Sequence, residues 1–186
     1  MVELAVALGL VATATATALP RLLTRLDESR VAGAARYLAA RFYDTRVEAI
    51  TRSTDVALRF TATNAGFVFA TYADGNGDGV LARDIQRNVD RQIHSPELIS
   101  SQFSGVDFGA LPGLPAIEEG GTPPGDDPIR FGAGNMVSFS ALGTSSSGTL
   151  YIRGGRDIQY AIRLVGATAR VRTYRFDTRT RAWQLV

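Results

Sequence analysis

The sequence predicts an α+β protein in which a long N-terminal helix, apolar at first and amphipathic after, packs on an antiparallel β-sheet head. Three observations predict it. Residues 4–19 carry no charge, apolar residues then recur at spacings of mostly three or four as far as residue 50, and the remainder alternates β-forming segments with glycine- and asparagine-containing turns. At 186 residues the chain has room for one ordinary domain plus an appendage. It has no cysteine, which excludes disulfides, thiolate metal sites and a cysteine nucleophile.

The first element opens with MVELAVALGLVATATATALPRLL. As a helix, residues 4–19 reach about 24 Å at 1.5 Å per residue, short of a hydrocarbon core of about 30 Å, so the run spans a membrane only if the chain starts further upstream. Thr13, Thr15 and Thr17 are tolerable there, because their hydroxyls can bond back to the backbone. Pro20 permits a kink. Glu3 is out of place, since a carboxylate in lipid or in a core is costly without a partner. After Pro20 the residues Leu19, Leu22, Leu23, Leu26, Val31, Ala35, Leu38, Phe42 and Ile50 mark a stripe that needs a partner surface. Three parts follow: residues 1–20 as the transmembrane or assembly part of the helix, 21–53 as its amphipathic continuation, and 54–186 as a β-rich head. A different reading takes Ala16-Thr17-Ala18 as the cleavage site of a secretory signal, leaving a secreted β-rich binding module. Against it, no Arg or Lys precedes Arg21.

In the head, residues 56–62 and 67–72 read as strands joined through Thr63-Asn64-Ala65-Gly66. Residues 149–153, 158–165, 169–176 and 182–186 read as further strands of an antiparallel meander. Ile158, Tyr160, Ile162 and Leu164 alternate onto one face, which is expected to cover the amphipathic stripe. Residues 104–134, rich in proline and glycine, read as a long surface loop.

Two segments invite a chemical reading. In DGNGDGVLARD, Asp74, Asn76 and Asp78 alternate ahead of Gly79, as in the first half of a calcium loop, but the twelfth position is Ile85 and Asp84 falls one residue early. A turn whose side chains bond their own backbone is favoured over a weak Ca²⁺ site, and no other cofactor is expected. Near the C-terminus, Arg170, Arg172 and Tyr174 alternate onto one face of a strand with Arg175 nearby, a strip suited to a phosphate backbone and a stacked base, although an ordinary solvent-facing strand is the favoured reading. Charge is segregated to match: residues 74–127 hold ten acids against three arginines, residues 153–186 eight arginines against two acids. The single histidine, His94, has no nucleophile or carboxylate at catalytic spacing, so an enzyme is not expected.

Met-Val-Glu-Leu, the apolar run, the proline and the amphipathic continuation resemble the start of a type IV pilin or type II secretion pseudopilin. The stretch VSFSALGTSSSGTLYIRGGRDIQYAIRLVGATARVRTYRF resembles the C-terminal sheet of the GspH/FimT group of minor pseudopilins. In that family the glutamate is the fifth residue of the mature chain, so Glu3 matches it if two residues and a basic leader precede Met1. Arg21, Arg25 and Arg30 would otherwise favour a cytoplasmic C-terminal side. The resemblance implies a pilin-like fold and a structural minor subunit of a secretion or pilus fibre. It also implies processing by a prepilin peptidase with methylation of the new amine, a single pass through the bacterial inner membrane, and a periplasmic head. Glu3 and Pro20 would serve assembly, and other pseudopilins would be the partners. Some FimT-type members are linked to DNA uptake through basic C-terminal residues, which makes DNA an alternative partner for Arg170, Arg172, Tyr174 and Arg175.

Overall fold

The computed structural model describes the backbone of residues 2–132 and 134–186, and the side chains of residue 3, residues 22–132 and residues 134–186. One continuous helix, α1 (Val2–Arg52), is followed by the hairpin β1 (Val56–Thr63) and β2 (Gly66–Ala73). Next come α2 (Ala82–Gln86), β3 (Arg91–Gln92), β4 (Glu97–Leu98), α3 (Ile99–Gln102), β5 (Asp107–Phe108), β6 (Ile129–Arg130) and β7 (Met136–Phe139). The chain closes with β8 (Gly148–Arg153), β9 (Gln159–Val165), β10 (Arg170–Asp177) and β11 (Ala182–Leu185). At 1.5 Å per residue the 51 residues of α1 run for about 77 Å. The helix ends in a Schellman motif. Ser53 takes the left-handed conformation at φ 54, its N–H bonds the carbonyl of Ile50, and the N–H of Thr54 bonds that of Ala49.

The head holds two antiparallel sheets where a single one was expected. The first has the order β3-β2-β1-β7 with β4 also on β2, and the second the order β11-β10-β9-β8-β5 with β6 also on β8. The division falls at β7, which is only four residues long. Past it the chain turns back on itself, the N–H of Ser146 bonding the carbonyl of Ser138 while the Ser146 hydroxyl accepts the N–H of Ser138. The ladder therefore ends and β8 begins a new sheet.

Both sheets close on α1. Its buried stripe is Val31, Ala34, Ala35, Leu38, Phe42, Thr45 and Ala49, at helical spacing, with the large Leu38 and Phe42 flanked by smaller residues. Ile158, Tyr160, Ile162 and Leu164 share this core with Leu58, Phe60 and Phe69 of the first sheet. The stripe starts later than its sequence suggests, Leu22, Leu23 and Leu26 being exposed, and it ends on Ala49, with Ile50 exposed. The close approach fixes one glycine, because a Cβ on Gly154, in the hairpin between β8 and β9, would lie 2.2 Å from a Val31 methyl.

Residues 104–134 are not a plain surface loop. Val106, Phe108, Leu114, Ile129 and Phe131 are buried, and β5 and β6 within the segment extend the second sheet. Leu114 sits on the sheet face turned away from α1, in a second small core with Tyr151, Ala161 and Phe176. The segment has no period because its apolar anchors sit in turns or on strands of only two residues, too short for an alternation to show. Among the described residues, no helix is long and apolar enough to cross a membrane. The apolar side chains of residues 4–19, on which the transmembrane expectation rests, lie outside the described residues.

Candidate functional site at the helix and its junction with the head

Upstream of the core, α1 carries an exposed carboxylate at Glu3 and exposed leucines at 22, 23 and 26. The helix runs through Pro20 unbroken; the Pro20 side chain lies outside the described residues. Pairs one turn apart, Arg25 with Glu28 and Arg30 with Asp27, lace the polar face where the helix meets the head.

Two polar ties hold α1 in place. At the first, Arg156 donates to the Thr24 hydroxyl at 2.6 Å and lies 3.8 Å from Asp27, while Arg175 donates to Glu28 at 3.0 Å. Thr24, Glu28, Arg156 and Arg175, together with Asp177 and Arg179, line a cavity of about 370 Å³ between the helix and the turns of the second sheet. The backbone N–H groups of Arg179 and Thr180 hold the Asp177 carboxyl below the usual carboxylate range. At the second tie, Glu97 on β4 accepts from the Tyr37 hydroxyl, from Arg41 at 2.8 Å and from the Gln102 side chain at 3.2 Å. Burial, and then the bond donated to Glu97, push the Tyr37 hydroxyl above its ordinary pKa. Glu97 carries no sequence signal, because two of its three partners, Tyr37 and Arg41, lie about sixty residues away on α1.

The acidic loop is built as a turn. Asp74 accepts the N–H groups of Asn76, Gly77 and Gly79 at 2.8–3.0 Å. Burial alone would raise its carboxyl, but these donors outweigh burial and hold it below the usual value. Asp78 and Asp84 both lie against Arg83, at 2.9 and 3.2 Å. The loop is closed by a residue outside the motif, the fully buried Asp90, which accepts the N–H groups of Gly75 and Leu81. Among the described residues, no group of three or more His, Cys, Asp or Glu side chains is arranged to hold a metal ion.

Replacing Asp74 with Ala is expected to lower stability by about 1 kcal/mol at pH 7, the bonds being worth less at a half-exposed site than in a core. Because the folded pKa is depressed, this contribution is present above the unfolded pKa and fades as pH falls through the folded one. Denaturant curves of wild type and Asp74→Ala should therefore diverge at neutral pH and converge in acid. Millimolar Ca²⁺ is expected to leave Tm unchanged. A rise with Ca²⁺ that Asp78→Ala abolishes would reinstate the metal reading.

The basic strip is split by the strand pleat. Arg170 and Arg172 are exposed on the face of β10 turned away from α1. Tyr174, on the same face, is half-buried against the second core rather than free to stack. Arg175 points the other way, to Glu28 on α1. The DNA-binding set thus keeps two of its four members on one accessible surface. His94 lies 4.0 Å from Glu48, and both are partly exposed.

No family model and no curated protein matches the chain. Among solved structures it is similar to the minor pseudopilin EpsH of the type 2 secretion system of Vibrio cholerae, with a TM-score of 0.47 and 12% identity over 77% of this chain and 95% of that one. A likeness of that size adds nothing to what the chain's own residues carry.

Proposed function

We propose that this chain is a non-catalytic minor subunit of a type II secretion or type IV pilus-like fibre. Its N-terminal helix lies among the helices of neighbouring subunits in and above the inner membrane, and its β head stands in the periplasm. The observation that carries the reading is α1 itself: one unbroken helix whose second half is the spine of the head and whose first half has Glu3 as its only charge before Arg21. The resemblance of the opening and closing stretches to GspH/FimT pseudopilins supports it. The exposed leucines at 22, 23 and 26 give the helix an apolar flank for neighbours above the membrane.

Glu3 sets the register in this reading, pairing in lipid with the amine that leader cleavage creates on an adjacent subunit. Glu3→Leu is expected to leave the protein in the membrane while cross-linking to neighbouring subunits falls at least about tenfold, an unpaired buried amine costing several kcal/mol. N-terminal sequencing of membrane-extracted protein should find a methylated start two residues before Met1. A start at Leu19 would overturn the reading in favour of a secreted binding module.

A further inference from the structure

On the sheet face turned away from α1 there is a cleft of about 210 Å³, roofed by the proline- and glycine-rich segment and floored by β8 and β9. Its charged lining is Arg130, Arg163 and Glu118, a surplus of one positive charge. Arg163 is held as a fork: its Nε lies 3.2 Å from one Glu118 oxygen and its Nη2 3.1 Å from the other. The Thr149 hydroxyl stands 3.4 Å from Nη1 on the floor. Beside them β10 places Arg172 directly opposite Arg163 in register on the same face. Two like charges facing across a strand pair repel, so this surface wants a counter-anion. Glu118 supplies one, and yet it is the most exposed member of the pair, 55% against 25% for Arg163.

Glu118 lies in a turn of the roof rather than on a strand. It precedes Gly120, at φ +72, and Gly121, where a Cβ would come within 2.9 Å of the Glu118 carbonyl, so the carboxylate rides on a tight glycine turn. The arginines, by contrast, are anchored: Arg163 on a central strand, Arg130 by bonds to the Thr122 and Pro123 carbonyls. We infer that this cleft is a receptor for a side-chain carboxylate of a partner polypeptide, which takes the fork on Arg163 by displacing Glu118. A bidentate guanidinium–carboxylate pair is directional and is re-formed by the incoming group, so the exchange loses no bond. The tethered Glu118, at an effective concentration on the order of millimolar, sets the threshold a partner must exceed. The cation surplus and Arg172 favour acidic partner segments over neutral ones.

The test uses the full chain in detergent micelles with arginine labelled by ¹⁵N, titrated with a glutamyl peptide blocked at both ends, with acetate and with inorganic phosphate. Glu118→Ala is expected to bind the peptide about tenfold or more tighter than wild type, with the Arg163 Nε–H resonance shifting. Adding Arg163→Lys, which keeps the charge and removes the fork, is expected to reverse the gain. Equal affinity of wild type and Glu118→Ala overturns the proposal. Acetate binding as tightly as the peptide would make the site one for small carboxylates, and phosphate binding as tightly would make it a general anion patch; either result overturns the assignment to a polypeptide carboxylate. Assembly through Glu3 plays no part in this readout, so its failure and that of the fibre reading are distinguishable.

Discussion

Phe42→Ala is expected to lower stability by about 3–5 kcal/mol, the range for emptying a fully buried aromatic site. Phe42 is 0% exposed. Its ring stands edge-on to Phe131 at 6.0 Å, just beyond β6 of the second sheet, and tilted against Phe139 at 6.4 Å, on β7 of the first. The side chain is thus the point where helix and both sheets meet, and the cavity left behind has three walls that cannot all close in. At about 2–4 °C per kcal/mol for a chain of this size, Tm should fall by on the order of 10 °C. Phe42→Leu, which keeps most of the volume, should lose well under half as much. Thermal melts followed by near-ultraviolet circular dichroism check both, and a loss below about 1 kcal/mol for the alanine variant would mean that the helix does not seat on both sheets as described.

Gln159→Leu should cost about 2–4 kcal/mol although it exchanges a polar residue for an apolar one of similar size in a buried place. Gln159 is 0% exposed, and its amide is fully used. The side-chain nitrogen donates to the carbonyls of Gly109, Ile152 and Tyr160, and the oxygen accepts the N–H of Leu111. Leucine leaves that part-buried N–H without this partner, at up to about 1–3 kcal/mol for the donor alone. The damage should be local in kind: residues 109–111 are stitched to β9 by this amide, so proteolysis within the proline-rich segment should accelerate before the sheets melt. Hydrogen exchange at the Leu111 amide is the direct measure. If that amide stayed as protected as in wild type, Gln159 would not be what holds the segment down.

The regular elements were legible in the sequence because their signals are local. The hairpin β1–β2 and the strands β8, β9, β10 and β11 fall within about a residue of their expected bounds, since alternation and turn residues are read over a few positions. The helix was legible to within one residue of its end. What escaped depended on partners distant in sequence. Leu22, Leu23 and Leu26 carry the same signal as Val31 and Leu38, yet only the latter meet the sheets. The second sheet is invisible until β7 turns away from β8. Glu97, Asp90 and Gln159 are polar residues in polar or mixed stretches, and only the fold makes them hydrogen-bonding hubs, Asp90 and Gln159 fully buried and Glu97 partly so. In the basic strip, alternation puts Arg170, Arg172 and Tyr174 on one face, and the same alternation sends the neighbouring Arg175 to the opposite face; that Tyr174 is half-buried against the second core depends on residues distant in sequence.

The two ties of α1 lie along its length rather than at one point, Thr24 and Glu28 near its middle and Tyr37 and Arg41 nearer its end, with both sheets gripping the stripe between and beyond them. A pull applied at the first turns of the helix, along its axis, therefore loads the head in shear. Hydrogen bonds and packed rings strung along the rod share the tension together instead of opening one after another as in a peeled zipper. Resistance to such a pull is set by the unfolding rate rather than by equilibrium stability. A head mounted in this way can be carried by its helix without being drawn out of shape.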